Sequence, residues 1–166
     1  VYNVIKGKIY MKISENLKPI VVGLSSSIII GVLAFLSFET STGFWLMFSF
    51  GSTSLIVFIF YKSEFAQPGN IFFGHLLGIT IGILFNEFIG LSFITLGLSV
   101  GVTVTLMMYF KIIHPPAAAN PLIALFADVS IEYIIFPVLV GTIVIIFLTI
   151  IINKFILKRN YPIKWF

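Results

Sequence analysis

Apolar residues run along this chain in long blocks that contain no charge. Six such blocks, Pro19 to Phe38, Thr40 to Tyr61, Phe65 to Asn86, Phe88 to Phe110, Ile112 to Ala127 and Tyr133 to Asn153, are separated by the short stretches that hold the Asp, Glu, Lys and Arg residues. Five of the six are long enough, at about 20 residues or more, to cross a hydrocarbon core of roughly 30 Å as helix. The pattern predicts an all-α, polytopic integral membrane protein with about six crossings. No gap between blocks could hold a folded soluble domain, so catalysis by an appended domain is not expected.

The fifth block is the short one. As straight helix its 16 residues would reach only about 24 Å, so part of it must be non-helical. The cause is legible in His114, Pro115, Pro116, Ala117, Ala118, Ala119, Asn120 and Pro121. Consecutive prolines cannot donate backbone hydrogen bonds and fit only at a helix start, which makes His114 the expected N-cap of a short, broken membrane helix. The alternative is a cytoplasmic loop before a tilted helix.

Charge then sets the orientation. Lys6, Lys8, Lys12 and Lys18 precede the first block, Lys62 follows the second, Lys111 the fourth, and Lys154, Lys158, Arg159 and Lys164 the sixth. The alternate gaps carry Glu39, Glu87, and Asp128 with Glu132. Six crossings therefore put every basic residue on one side, as the positive-inside bias demands, with both termini cytoplasmic in a multi-pass protein of the cell membrane. A re-entrant fifth block would flip the sixth and place four basic residues outside, so a crossing is favoured.

Composition agrees: 59% of the 166 residues are hydrophobic and 10% charged, with mean hydropathy +1.14, where soluble domains run near half and a quarter. The net charge of +4 is read as membrane sidedness, not as a nucleic-acid surface. There is no cysteine, and two histidines alone make a poor metal site, so neither metal nor other cofactor is expected. The chain divides into a lead (1–18), a transmembrane domain (19–155) and a basic tail (156–166). The lead, with Val4, Ile5, Ile9, Tyr10, Met11 and Ile13 among lysines, is expected either to lie along the inner membrane surface or to be a solvated tail. The first apolar block follows this lead and shows no small-residue cleavage site, so it is expected to remain as a helix.

Small residues predict the packing. Gly74, Gly78 and Gly82 recur every four residues, as do Gly97 and Gly101, and such ridges let membrane helices approach closely. The third and fourth helices are expected to be central, with His75 near the packed seam. Hydroxyls concentrate at Ser25 to Ser27, at Ser49 and Ser52 to Ser54, and at Ser99, Thr103 and Thr105; most are expected to bond back to the preceding turn. Gly51 to Ser54 differs, because four small or polar residues in succession cover the whole circumference of the helix.

Proline opens a helix twice near the cytoplasmic face, at Pro68 and at Pro115–Pro116. Each has an amide close by (Gln67 and Asn70; Asn120) and a histidine within a turn or two (His75; His114). Two helix starts on one side would aim partial positive charge at a shared site, which is a way to bind a small anion without burying a lysine. The three alanines before Asn120 remove bulk, consistent with discontinuous helices that line a passage. The expected binding residues are Ser52, Thr53, Ser54, Gln67, Asn70, His75, His114, Pro115, Pro116 and Asn120, around one polar cavity.

These residues resemble the HPP family of integral membrane proteins, whose signature is His-Pro-Pro, here His114, Pro115 and Pro116. The resemblance extends to Gly51, Ser52, Thr53 and Ser54, to Ala66, Gln67, Pro68, Gly69 and Asn70, and to Gly74 and His75, from about Pro19 to Asn153. Two departures stand out: Ser-Thr-Ser after Gly51 instead of Ala-Ser, and Ala-Ala-Ala-Asn-Pro where many relatives carry glycines. The C-terminal nucleotide-binding domains of some relatives have no counterpart in these residues. What the resemblance implies is transport, with nitrite as the proposed substrate of some members. The expected partners are a small anion, the lipid bilayer and further copies of the chain, in a closed arrangement of two or three. A non-transporting structural or sensory subunit is the alternative, and an intramembrane enzyme the least favoured, because no carboxylate or cysteine falls within a block.

Overall fold

The computed structural model describes residues 2–5, 8–11, 14–40 and 45–165, the first two stretches as backbone. Lys6, Lys12 and residues 41–44 of the second apolar block lie outside the described residues. Apart from a two-stranded antiparallel ribbon in the lead, β1 (Tyr2–Ile5) with β2 (Lys8–Met11), the regular structure is helical. The helices are α1 (Lys18–Glu39), α2 (Phe48–Ile59), α3 (Pro68–Phe88), α4 (Phe93–Tyr109), α5 (Asn120–Ala127) and α6 (Val140–Ile151). This is an all-α membrane-protein architecture: α1, α3 and the continuous segment Ile134–Ile156 are long and apolar enough to cross a bilayer, and α2, α4 and Pro115–Ala127 are shorter apolar helices.

Local chemistry sets the helix ends. Proline stands in the first turn of α1 and of α3, where its missing N–H costs nothing. Ser92 caps α4 by accepting the Thr95 N–H at 3.1 Å, and α4 stops before Lys111, which takes a left-handed conformation (φ 57°). Asp128 (φ 48°) does the same after α5 and sends the Val129 N–H back to the Ala124 carbonyl. The sixth block is not one regular helix: Phe136 is extended before Pro137, and a π-helical stretch (Ile134–Leu139) leads into α6.

Helix α3 is the centre, packed against α4, α5 and α6, while α1 packs on α2 and α6. The glycine ridge of α3 faces α5 and the turn before it. A Cβ at Gly74 would lie 2.8 Å from the His114 Cβ, one at Gly82 would lie 2.6 Å from Pro121 Cα and Ala124 Cβ, and one at Gly78 would fall on the Ala117 carbonyl oxygen. The ridge thus lets the broken segment lie directly on α3. The second ridge behaves otherwise: at Gly97 and Gly101 an added Cβ meets nothing within 4 Å, and both residues are exposed. Helix α4 turns Thr95, Ser99, Thr103 and Met107 inward instead, so it flanks the bundle and is not central as expected.

Two sets of contacts mark the ends of the bundle. At one, Asn70 reaches the Ile113 carbonyl, and Arg159 and Tyr161 reach the carbonyls of Phe58 and Ala66. At the other, the Asn86 amide donates to Asp128 at 2.7 Å. Helices α3 and α5 therefore run parallel, with both proline starts at the same end.

Because Gly78 has no room for a side chain, Gly78→Leu is expected to destabilise the protein by at least the ~1–3 kcal/mol typical of overpacking. Gly97→Leu, which meets nothing within the protomer, should lower the thermal midpoint in detergent much less than Gly78→Leu. Equal midpoints for the two variants would show that the ridge of α3 is not a packing surface.

Candidate functional site

The fifth block breaks as its prolines require. Residues Pro115–Ala119 form a single 3-10 stretch that passes into α5 at Asn120, and the helical part, Pro115–Ala127, is by itself shorter than the hydrocarbon core is thick. Helix α2, at 12 residues, is also short, because Met47 before it is extended and Trp45 and Leu46 are not helical. These two short elements pack together inside the bundle. Four polar side chains meet there with no exposed surface: Thr53 from α2, His75 from α3, His114 from the start of the 3-10 stretch, and Asn120 from the start of α5.

The hydrogen bonds assign their own directions. The Asn120 amide nitrogen is 3.0 Å from the His75 carbonyl, which can only accept, so the same NH2 group donates its other proton to His75 Nδ1 at 3.0 Å. A neutral His75 then carries its proton on Nε2 and donates it to Thr53 Oγ1 at 2.9 Å. His114 Nδ1 lies 2.6 Å from the Phe65 carbonyl oxygen, so Nδ1 is the protonated nitrogen and Nε2 accepts from the Thr53 hydroxyl at 3.0 Å. Two histidines of opposite tautomer thus share one threonine. The Thr53 hydroxyl has a second acceptor, the Ser49 carbonyl at 3.1 Å, so its proton can leave His114 without being orphaned.

Ser49 completes the cluster by donating to Asn120 Oδ1 at 2.8 Å. It lies one helical turn before Thr53, on the same face of α2. The sequence reading favoured the contiguous Ser52 to Ser54, but the i, i+4 pair Ser49 and Thr53 is the signal that finds the network. The rings of His75 and His114 are 4.9 Å apart, and Phe50 stands edge-on to His75 at 5.2 Å, held there by the absence of a side chain at Gly141. Among the described residues, the buried side-chain polar atoms without a partner are Thr103 Oγ1, Thr149 Oγ1 and Asn153 Oδ1, none in this cluster. No group of three potential metal-ligating side chains occurs among the described residues.

The other expected site residues lie around the cluster. Asn70 donates to the Ile113 carbonyl at 3.0 Å and so holds the chain that presents His114. His114 has the backbone position of an N-cap, but its ring caps nothing and reaches Thr53 and Phe65 instead. Ser54 bonds back to the Gly51 carbonyl, the ordinary behaviour of a membrane serine. Gln67 points away from the site: its amide donates to the Tyr61 and Ser63 carbonyls, and its oxygen accepts the N–H groups of Ile163 and Lys164. The tail thereby covers the start of α3, where the Gly69 N–H donates to the Trp165 carbonyl at 2.9 Å. That helix start is occupied by the chain itself, and the groove beside it, lined by Pro68, Gly69, Phe72, Ile146 and Trp165, is apolar and not the shared polar cavity expected. Outside the bundle, Lys164 pairs with Glu64 at 2.6 Å and holds its carboxyl below the usual range.

Among the described residues, the pockets found do not lie between these polar groups. The polar groups are packed on one another, and the open space lies beside them: a groove of about 780 Å³ between α2 and the broken segment, lined by Ser49, Ser52, Pro115, Pro116 and Ala119 among apolar neighbours. Ser49 belongs to both the groove wall and the network.

The HPP transmembrane-region family matches residues 12–162. The chain is 31% identical over 153 residues to a transmembrane protein of Dictyostelium discoideum, covering 86% of this chain and 49% of that protein. A second transmembrane protein of the same organism is 29% identical over 125 residues, 70% of this chain and 44% of the relative. The chain therefore spans about half the length of the curated relatives it matches. No solved structure matches.

The opposite tautomers are directly testable. Nitrogen-15 spectra of the histidine-labelled protein should show His75 protonated on Nε2 and His114 on Nδ1. The same tautomer in both rings would contradict the bond directions assigned here. Ser49→Ala, which leaves Asn120 Oδ1 without a donor, should cost about 1–3 kcal/mol of stability.

Proposed function

This chain belongs to the HPP transmembrane-region family, and from that premise we propose that it moves a small inorganic anion, nitrite first among the candidates, across the cell membrane. One observation carries the reading. Two short, interrupted helices face each other inside the bundle, with Ser49, Thr53, Asn120 and both histidines gathered where they meet. Discontinuous membrane helices of this kind are where transporters hold their substrates, because irregular backbone is tolerated at depth only where it lines a passage or is covered by protein.

The chemistry of the lining favours an anion. The described elements around the break supply hydroxyls, an amide and imidazole N–H groups, and no carboxylate. Small residues, Ala117 to Ala119 and the glycines of α3, keep the surroundings narrow. The groove beside the network is the passage in this reading, with Ser49 and Ser52 as its polar wall. At its mouth Phe48 is 92% and Phe126 67% exposed, so in a single copy the groove opens onto lipid. Association of two or three copies encloses it, and the exposed Gly97 and Gly101 face of α4 supplies a surface on which helices of neighbouring copies can approach closely. Lys62, Lys111 and Lys164 belong to the end of the bundle that carries both proline starts, which is the cytoplasmic end by the positive-inside bias.

In liposomes, the purified chain should raise nitrite uptake above that of protein-free vesicles. Ser52→Trp, which fills the groove without touching the histidines, should lower that uptake at least tenfold at an unchanged thermal midpoint; uptake at the parent rate would exclude the groove as the passage. The orientation is open to sided labelling, since the chain has no native cysteine. Ser130→Cys should react from outside the cell and Lys111→Cys only from within, and labelling of Ser130→Cys from the cytoplasmic side alone would overturn the six-crossing topology.

A further inference from the structure

The bonds around Thr53 form one unbroken, directed chain: Asn120 amide to His75 Nδ1, His75 Nε2 to Thr53, Thr53 to His114 Nε2, and His114 Nδ1 to the Phe65 carbonyl. Every donor points the same way along it. One end lies at Ser49, on the groove wall, and the other at Phe65, which is itself partly exposed near the end of the bundle that carries Lys62 and Lys111. A network whose task was only to hold helices together would not need two titratable rings in relay through a hydroxyl, and Ser49 and Asn120 already join α2, α3 and α5.

From this geometry we infer that the Asn120–His75–Thr53–His114–Phe65 chain is a proton relay that moves one proton with each anion. The inference rests on the transport reading for its cargo. The step balances as follows. When the Ser49–Asn120 pair moves aside, a proton from water in the groove binds His75 Nδ1. His75 Nε2 passes its proton to Thr53 Oγ1, and the Thr53 hydroxyl proton passes to His114 Nε2. His114 then releases its Nδ1 proton to water at the Phe65 end. One proton enters, one leaves, and no electron changes place.

The same geometry makes the relay a coupling device and not a leak. After one transfer, His75 holds its proton on Nδ1, facing the donor NH2 of Asn120, and the bare Nδ1 of His114 faces the Phe65 carbonyl oxygen. Donor meets donor at one end and acceptor meets acceptor at the other, and both contacts are buried. A second proton cannot follow until the rings and the segments that carry them have rearranged. Since His114 rides on the broken segment and His75 on α3, that reset requires the two to move relative to each other, which ties each proton to one conformational cycle.

Among the described residues, no charged side chain lies beside the rings themselves. The elements packed on the rings, α2, the 3-10 stretch and α5, contain no Asp, Glu, Lys or Arg, and α3 carries only Glu87, in its last turn. Lys62, Lys111 and Asp128 lie in the connections, and Glu64, which begins the short 3-10 turn Glu64–Ala66 that holds Phe65, is exposed at the exit and paired with Lys164.

The test uses the full chain in liposomes loaded with a pH-sensitive dye, at pH 7 to 8, with protein-free vesicles as background. Nitrite uptake and internal pH are read together, with potassium and valinomycin holding the membrane potential at zero, since one proton moving with one nitrite carries no net charge. The wild type should take up nitrite faster down an inward proton gradient and acidify the lumen in step. Thr53→Val, close in shape but without the hydroxyl, should lose the proton signal at least tenfold, and Thr53→Ser should restore it. Nitrite uptake indifferent to the gradient, with no change in internal pH, overturns the relay and leaves the transport reading standing. Proton movement without nitrite uptake overturns nitrite as the cargo and keeps the relay. Wild-type proton movement in Thr53→Val overturns the relay outright, and a wild type that moves neither species overturns both.

Discussion

The constraint behind this structure is that a polar group inside an apolar bundle has no water to turn to. In a soluble protein a strained hydroxyl or imidazole can relax toward solvent; here a buried donor or acceptor has only the chain to turn to, and among the described residues Thr103 Oγ1, Thr149 Oγ1 and Asn153 Oδ1 are the side-chain atoms left without a partner. Thr53, His75, His114 and Asn120 meet that requirement together, and none could do so alone. His114 needs the Phe65 carbonyl on one nitrogen and Thr53 on the other, while Asn120 bridges His75 and Ser49. The cluster therefore sets the relative positions of α2, α3, the 3-10 stretch and α5 as closely as apolar packing does, because an isolated buried group costs about 1–3 kcal/mol while apolar side chains tolerate small slips.

Glycine and proline make the meeting possible. Pro115 and Pro116 forbid a regular helix through the fifth block, which leaves a short element that must be covered by protein on several sides. Gly74, Gly78 and Gly82 let it lie against α3 with backbone nearly in contact, so His114 arrives beside His75 at a ring separation of 4.9 Å. Gly141 does the same for Phe50, whose edge closes the far side of His75. The absence of side chains at Gly74, Gly78 and Gly82 lets the two rings come together, and the polar bonds then hold them there.

The tail has a different task. Tyr161, Trp165 and the backbone around Lys164 fold over the connection between α2 and α3, satisfying the Ala66 carbonyl, Gln67 and the Gly69 N–H. Arg159 adds a bond to the Phe58 carbonyl at 2.6 Å and lies 4.6 Å from the centre of the Tyr61 ring. This strap holds the segment that includes Phe65, the acceptor for His114. Residues nearly a hundred positions apart thus share in orienting one imidazole.

Much of this was legible in the residues alone. Charge-free blocks specify membrane helices because burial in lipid depends on composition and length, which are local properties. The break at Pro115 and Pro116 was equally local, since the missing N–H belongs to the residue itself. His75, His114, Asn120 and Thr53 could be singled out as polar residues in apolar surroundings. The partner of each, however, depended on which helix faces which. Periodicity does not show that Ser49 and Thr53 serve where Ser52 to Ser54 look richer, nor that Gln67 turns to the tail, because hydrogen-bond direction and the filling of space are settled only when distant segments pack. The glycine ridges make the same point: Gly78 and Gly97 look alike in sequence, and only the tertiary structure put a backbone carbonyl against one and left the other open.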